Sequence, residues 1–223
     1  MIPDLARRAR DKELLDEGVP DHEALRSLAD LRFVNRFLGG RRALLRAVLP
    51  LLRPAARPRL LDVGCGSGEL PALLHAALHG RLLAVGVDLK LLHARQAPPA
   101  VRAVVADARA LPFAPRSFDV VTASLFLHHF DDEELPQVLR GLFELARGAL
   151  VVNDLHRAPV PYAFARLTFP FLLRSRVSLL DGLVSIRRAF RPDELRAAFE
   201  RADLRGVDVR RSFPYRLVAV ARR

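Results

Sequence analysis

The chain has 223 residues, 51% of them apolar, enough to bury the core of one large domain or of a domain with a small cap. Its single cysteine excludes an intrachain disulfide framework and suits a reducing cytoplasm. The formal net charge of +11 admits an anionic partner, but the basic residues form no long block and carry no interleaved aromatic pattern, which argues against a nucleic-acid partner. No apolar run approaches the ~18 residues of a spanning helix. The start of the chain lacks the apolar stretch of a signal peptide, so the expectation is a cytoplasmic protein. The charge leaves room for transient contact with an anionic membrane surface.

Residues 1 to 53 read as helical. Leu14, Leu15, Leu25, Leu28, Leu31, Val34 and Leu38 recur near the helical period. Gly18 to Pro20 marks a break with Asp21 as an N-cap, and Gly39-Gly40 a second break. After a Pro-bounded linker at 54 to 58, strands are expected at 59–63, 82–88, 101–107, 118–124 and 149–154, with helices at 69–79, 90–97 and 132–147. Asp131 followed by Glu134 reads as a capping box before the last of these. Near-continuous apolar strands alternating with helices imply a parallel sheet covered on both faces. The runs 207–213 and 216–222 are too close for a crossover helix and are predicted to form an antiparallel hairpin.

Within this frame one segment stands out, Leu60-Leu-Asp-Val-Gly-Cys-Gly-Ser-Gly-Glu69. It reads as a buried strand, a glycine turn and a helix start, the arrangement that binds nucleotide-like ligands at the carboxyl edge of open α/β sheets. Compared with the dinucleotide pattern G-x-G-x-x-G, the third glycine comes one residue early and Glu69 follows it. An acid there disfavours a pyrophosphate and favours a ligand with a positive charge and an amino-acid moiety. Asp88 ends the next strand about twenty residues on, the offset of an acid that binds ribose hydroxyls.

The segment Asp62 to Gly68 resembles the first motif of class I S-adenosylmethionine-dependent methyltransferases. The later segments Val105-Ala-Asp107-Ala108, Leu111-Pro-Phe113 and Ser117-Phe-Asp-Val-Val121 resemble the rest of that family's pattern in order. The resemblance covers roughly residues 40 to 223. It implies a Rossmann-like, doubly wound seven-stranded α/β sheet, mostly parallel with an antiparallel C-terminal hairpin, behind a helical N-terminal cap at 1–53. The domain of 54–223 would carry an inserted lid at about 158–190. The resemblance also implies S-adenosylmethionine as methyl donor. Asp62, Gly64, Cys65 and Gly66 would hold it, with Asp88 on the ribose and Leu89 on one adenine face. Asp107 would take the adenine amino group, the Ala108 amide a ring nitrogen, and Leu125 would line the pocket. Arg32, Asn35 and Arg36 are candidates for the methionine carboxylate.

Acceptor-side residues are less marked. Asp154 and His156 follow the fifth strand on the ligand edge, and His128 and His129 follow the fourth. A histidine titrates near neutrality and suits proton removal, so His156 and His129 are the candidate catalytic bases. The aromatic-rich insertion suits a small apolar or aromatic acceptor. The leading expectation is O-methylation of a phenolic or lipid-like metabolite, in the manner of natural-product enzymes of secondary metabolism. C-methylation of a quinone-type ring is the alternative, since the segment from Phe118 to Phe130 also resembles ubiquinone and menaquinone methyltransferases. An RNA methyltransferase and a non-catalytic scaffold are the rivals. Against the first, Ser124-Leu-Phe-Leu127 stands where amino-group methylases of nucleic acids carry Asn/Asp-Pro-Pro-Tyr/Phe. No compact metal-ligand set stands out, so no metal is expected.

Overall fold

The computed structural model describes residues 3–223; Met1 and Ile2, at the head of the expected cap and of the segment read for a signal peptide, lie outside them. Seven strands form one sheet in the order β3-β2-β1-β4-β5-β7-β6. Strands β1 (Arg59–Val63), β2 (Leu83–Asp88), β3 (Val101–Val105), β4 (Phe118–Ser124) and β5 (Ala146–Leu155) run parallel. β7 (Arg216–Arg222) inserts antiparallel between β5 and β6 (Asp208–Ser212). This is the expected Rossmann-like sheet with its antiparallel hairpin.

The central strands are buried on both faces, which is why they read as apolar runs. One face packs Leu60, Val120 and Val151 against α3 (Gly40–Leu52) and α4 (Glu69–Ala77). The other packs Leu61, Val121 and Leu150 against α6 (Leu135–Leu145) and α9 (Pro192–Arg201). A short α5 (Leu91–Ala94) precedes β3. The expected helix at 132–147 is shorter, because β5 begins directly at Ala146, which pairs with Phe118 ahead of a register shift. Asp21 is not an N-cap; Pro20 holds that place in an extended conformation, and Asp21 is the first helical residue. There its carboxylate still meets the positive end of the helix dipole.

Four helices lie beyond the sheet: α1 (Leu14–Glu17), α2 (Asp21–Phe37), α7 (Pro159–Leu172) and α8 (Arg176–Arg188). Of these, α7 and α8 share a small core of Tyr162, Ala165, Phe169 and Ile186 with Leu5 of the N-terminal segment. Two buried carboxylates tie them together. Asp30 on α2 accepts the backbone N–H groups of Arg174 and Ser175 at the α7–α8 turn, the latter at 2.8 Å. Asp181 on α8 accepts those of Leu14 and Leu15 at 2.8 and 2.9 Å, satisfying the first turn of α1 from another helix. No helix among the described residues is long and apolar enough to cross a membrane.

Phe199 on α9 is fully buried in the larger core. Phe199→Ala should lower stability by about 3–5 kcal/mol, measured by urea denaturation with an unchanged slope.

Candidate active site

The carboxyl ends of β1, β4 and β5 open into a cavity of about 180 Å³. Its floor includes Asp62 in β1 and Gly64, Cys65 and Gly66 after it, Leu125 and His129 after β4, and His156 after β5. Its walls are largely apolar, with Leu28, Leu31 and Val34 from α2 and Phe164 and Phe169 from α7.

The glycine turn is locally determined. Gly64 has φ +68°, and a Cβ there would come within 2.2 Å of the Phe126 ring. Gly66 has φ +55°, and its N–H donates to Asp88 Oδ2 at 2.8 Å. The Lys90 N–H donates to Asp88 Oδ1 at 2.9 Å, and His93 Nδ1 lies 3.2 Å from the same oxygen. The Asp88 carboxylate is therefore oriented at the end of β2, with a lone pair of Oδ2 left over for a ribose hydroxyl. Asp62 beneath the loop is bonded to the Thr122 hydroxyl at 2.6 Å. Burial pushes its carboxyl up to about 7, with the charge of Asp88 adding to the effect. Cys65 is raised by burial and by the two acids, so it stays a thiol. Glu69 pairs with Arg41, so its charge alone does not decide against an anionic ligand. Asp88 supplies the negative field instead, with Asp62 only part-ionised at neutral pH. A glycine turn that lets a ligand approach the main chain, beside Asp88, fits a cationic ligand with a ribose.

Asp88, Leu89, Asp107 and Ala108 lie along the same sheet edge but outside this cavity. Leu89 is exposed, and the Asp107 side chain is half-exposed beside Arg109. The α1 segment stands between the two regions. Lys90 donates to the Leu15 carbonyl, and Leu15 lines the cavity. Of the candidates on α2, Arg32 and Asn35 line the cavity and Arg36 does not.

The histidines divide. Buried His128 donates from Nδ1 to Asp154 Oδ1 at 2.6 Å, and its Nε2 lies 3.4 Å from Glu13. Burial works against its charged form, but Asp154 and Glu13 together raise it to about 10. Asp154 is held below the usual carboxylate range by His128, against the effect of burial. Fully buried and so engaged, Asp154 is a partner of His128 and lies outside the cavity lining. His129 stacks on His128 at 4.5 Å and bonds Asp16 at 2.7 Å. His156 is different. Burial lowers its pKa, and Arg211, Arg157 and Arg191 lower it further, leaving a neutral imidazole on the cavity floor.

Ligand atoms of Glu13, His128 and His129 lie within 4.8 Å of one another. The sequence showed no compact ligand set, because Glu13 is far away along the chain and only the fold brings it in. Glu13 and Arg216, which also lines the cavity, are the residues that sequence reading missed. Leu125 carries a further mark of the site, a left-handed φ of +53° that leucine rarely adopts.

The match to a family described as a methyltransferase domain covers residues 60–148, the stretch from β1 into β5. The chain carries a class I S-adenosylmethionine-dependent methyltransferase domain. A ubiquinone biosynthesis O-methyltransferase of Brucella ovis is 31% identical over 160 residues, 70% of this chain and 63% of that one. One from Pseudomonas fluorescens is 29% identical over 165 residues, 69% and 67% of the two chains. The chain thus spans about 63% of the length of the Brucella relative. Among solved structures, a plantazolicin methyltransferase complexed with S-adenosylhomocysteine and a triazolic desmethylPZN analog superposes with a TM-score of 0.66. It has 12% identity over 91% of this chain and 97% of that one. The magnesium protoporphyrin IX methyltransferase of Synechocystis, with bound S-adenosylhomocysteine, gives 0.59 and 19%, over 86% and 87%. At these identities the two structures establish the shared fold of the methyltransferase domain.

The His128–Asp154 pair carries a stability prediction. His128's folded pKa, about 10, lies above the unfolded value near 6.5. Its stabilisation is therefore complete below roughly pH 6.5 and lost as pH rises through about 10. Asp154's is complete above roughly pH 4 and lost below. His128→Gln should cost about 3–5 kcal/mol near pH 6, and the gap to the unsubstituted protein should narrow toward pH 10. Denaturation midpoints across pH would measure it.

Proposed function

We propose that this chain transfers the methyl group of S-adenosylmethionine to a hydroxyl oxygen of a small apolar or aromatic acceptor, a phenolic or lipid-like metabolite. The observation that carries the reading is one continuous cavity that joins the glycine loop to an apolar chamber with a neutral histidine on its floor. The O-methyltransferase names of the relatives favour oxygen over carbon as the methylated atom.

S-adenosylmethionine, when bound, supplies a sulfonium-activated methyl group. The chain's own work is orientation, exclusion of water and proton removal. Asp62, Gly64, Cys65 and Gly66 would cradle the methionyl portion, with Leu125 beside it. Asp88 would take the ribose hydroxyls, Leu89 one face of the base, and Asp107 with the Ala108 amide its edge. Helices α2, α7 and α8 would close the chamber over the acceptor. His156, neutral and at the acceptor end, would accept the hydroxyl proton at a ring nitrogen. His129 is the competing base, but its bond to Asp16 commits one ring nitrogen.

Three measurements test this. Asp88→Ala should weaken S-adenosylhomocysteine binding by roughly 10-fold or more; calorimetry showing equal affinity would remove the ribose assignment. In a screen of phenolic acceptors, His156→Gln should reduce turnover by about 100-fold with donor affinity intact, and His129→Gln far less. Full activity in both variants would exclude a histidine base. Because His156's pKa is lowered, kcat/KM should stay level as pH falls past roughly 6.5 and decline only below that, with the decline absent in His156→Gln. Methylation of RNA in place of the small acceptors, or no donor binding at all, would replace the proposal with one of its rivals.

A further inference from the structure

Arg216 opens β7, paired with Leu155 at the end of β5. It is 1% exposed, yet its side chain forms part of the cavity wall. Its partners do not satisfy it. Nε donates to the Leu38 carbonyl at 3.3 Å and Nη2 to Asn35 Oδ1 at 3.5 Å, both long for an N–H···O bond. Nη1 is buried with no hydrogen-bond partner among the described residues. No carboxylate among those residues forms an ion pair with it, and the acid it senses, Asp154, is bound to His128. Burial without a counter-ion pulls the guanidinium down to about 10.

The other buried arginines of this region do not share that condition. Arg157 is equally enclosed, but it donates to the carbonyls of Leu5, Ala6 and Ala189 and pairs with Glu194. Arg188 donates to the carbonyls of Asp11, His128 and His129 at 2.8–2.9 Å. A buried cation is costly unless paired. An arginine with one unpartnered Nη and the other held only by a long bond, beside a ligand chamber, has donors that suit a carboxylate.

Its position separates it from the donor's loop. In the sheet β7 stands three strand steps from β1, which carries the glycine turn, a span of about 14 Å at the usual strand spacing. Around it are Leu155, Pro214 and Tyr215, with Phe164 stacked 5.7 Å from the tyrosine ring. A cation beside these apolar side chains suits a monoanion attached to an apolar body.

We propose that Arg216 recognises an anionic group on the acceptor, and that the acceptor is an apolar or aromatic carboxylic acid. This rests on the reading of the cavity as a methyltransferase's acceptor chamber and narrows it to acids.

The test is calorimetric titration of the full chain, loaded with S-adenosylhomocysteine, by three acids and their neutral amides: 3,4-dihydroxybenzoate, 3,4-dihydroxycinnamate and decanoate. At least one acid should bind about tenfold or more tightly than its amide. Arg216→Gln should abolish that preference while leaving S-adenosylhomocysteine affinity unchanged, and Arg216→Lys should retain part of it. Equal affinity for acids and amides, or no binding by any acid, would overturn the proposal. So would an Arg216→Gln variant that loses S-adenosylhomocysteine instead, which would assign the guanidinium to the donor's own carboxylate. The acid-against-amide comparison on the unsubstituted protein, with Arg216→Lys, decides the matter even if Arg216→Gln does not fold. If S-adenosylhomocysteine does not bind at all, the methyl-transfer reading fails separately, and the titrations of the unloaded protein still report on Arg216.

Discussion

A protonated histidine buried against a carboxylate is the constraint around which this sheet edge is organised. His128 leaves the end of β4 in a single 3₁₀ turn, and Asp154 stands at the end of β5. Ions this deep are stable only when their remaining bonds are also met. The chain meets them from three directions. The backbone of Leu155 donates to Asp154 at 2.7 Å, Glu13 approaches His128 from the N-terminal segment, and Ser185 on α8 bonds Glu13. Arg188 then holds the carbonyls of His128 and His129. The pair thus joins the sheet, the N-terminal segment and α8 into one structure.

That arrangement also explains why neighbouring histidines behave in opposite ways. His128 faces two carboxylates and is held charged. His156 faces three arginines and is held neutral. The same residue type on one sheet edge is held as a cation in one place and as a neutral imidazole in the other, because the nearby charge differs.

The basic composition has a related explanation. Part of the surplus charge is interior. Arg157 and Arg188 act as multidentate staples on carbonyls that loops and helix ends leave without partners. Arg8, lying 4.2 Å over the Phe190 ring, donates to the carbonyls of Phe130 and Arg188. A guanidinium can bond several carbonyls at once, which an ammonium of fixed reach does less well. The charge count alone, by contrast, pointed toward anionic partners.

What the sequence by itself determined was local or periodic. The strands were legible because burial on both faces demands unbroken apolar runs. The turn from Gly64 to Gly68 was legible because left-handed backbone selects glycine. The terminal hairpin was legible because seven-residue runs so close together cannot accommodate a crossover. Boundaries such as Ala146 were not, since a bulge in the pairing with β4 set them. The tertiary structure alone decided which charges meet. Glu13 and His128 are 115 residues apart in number, and nothing in either neighbourhood marks the contact. Asp154 looked like a ligand-side acid and became the partner of His128. Arg216, unmarked at the head of an apolar strand, is a buried, half-satisfied cation on the cavity wall. Electrostatic pairing depends on distance through space and on burial, and neither is written in the order of residues.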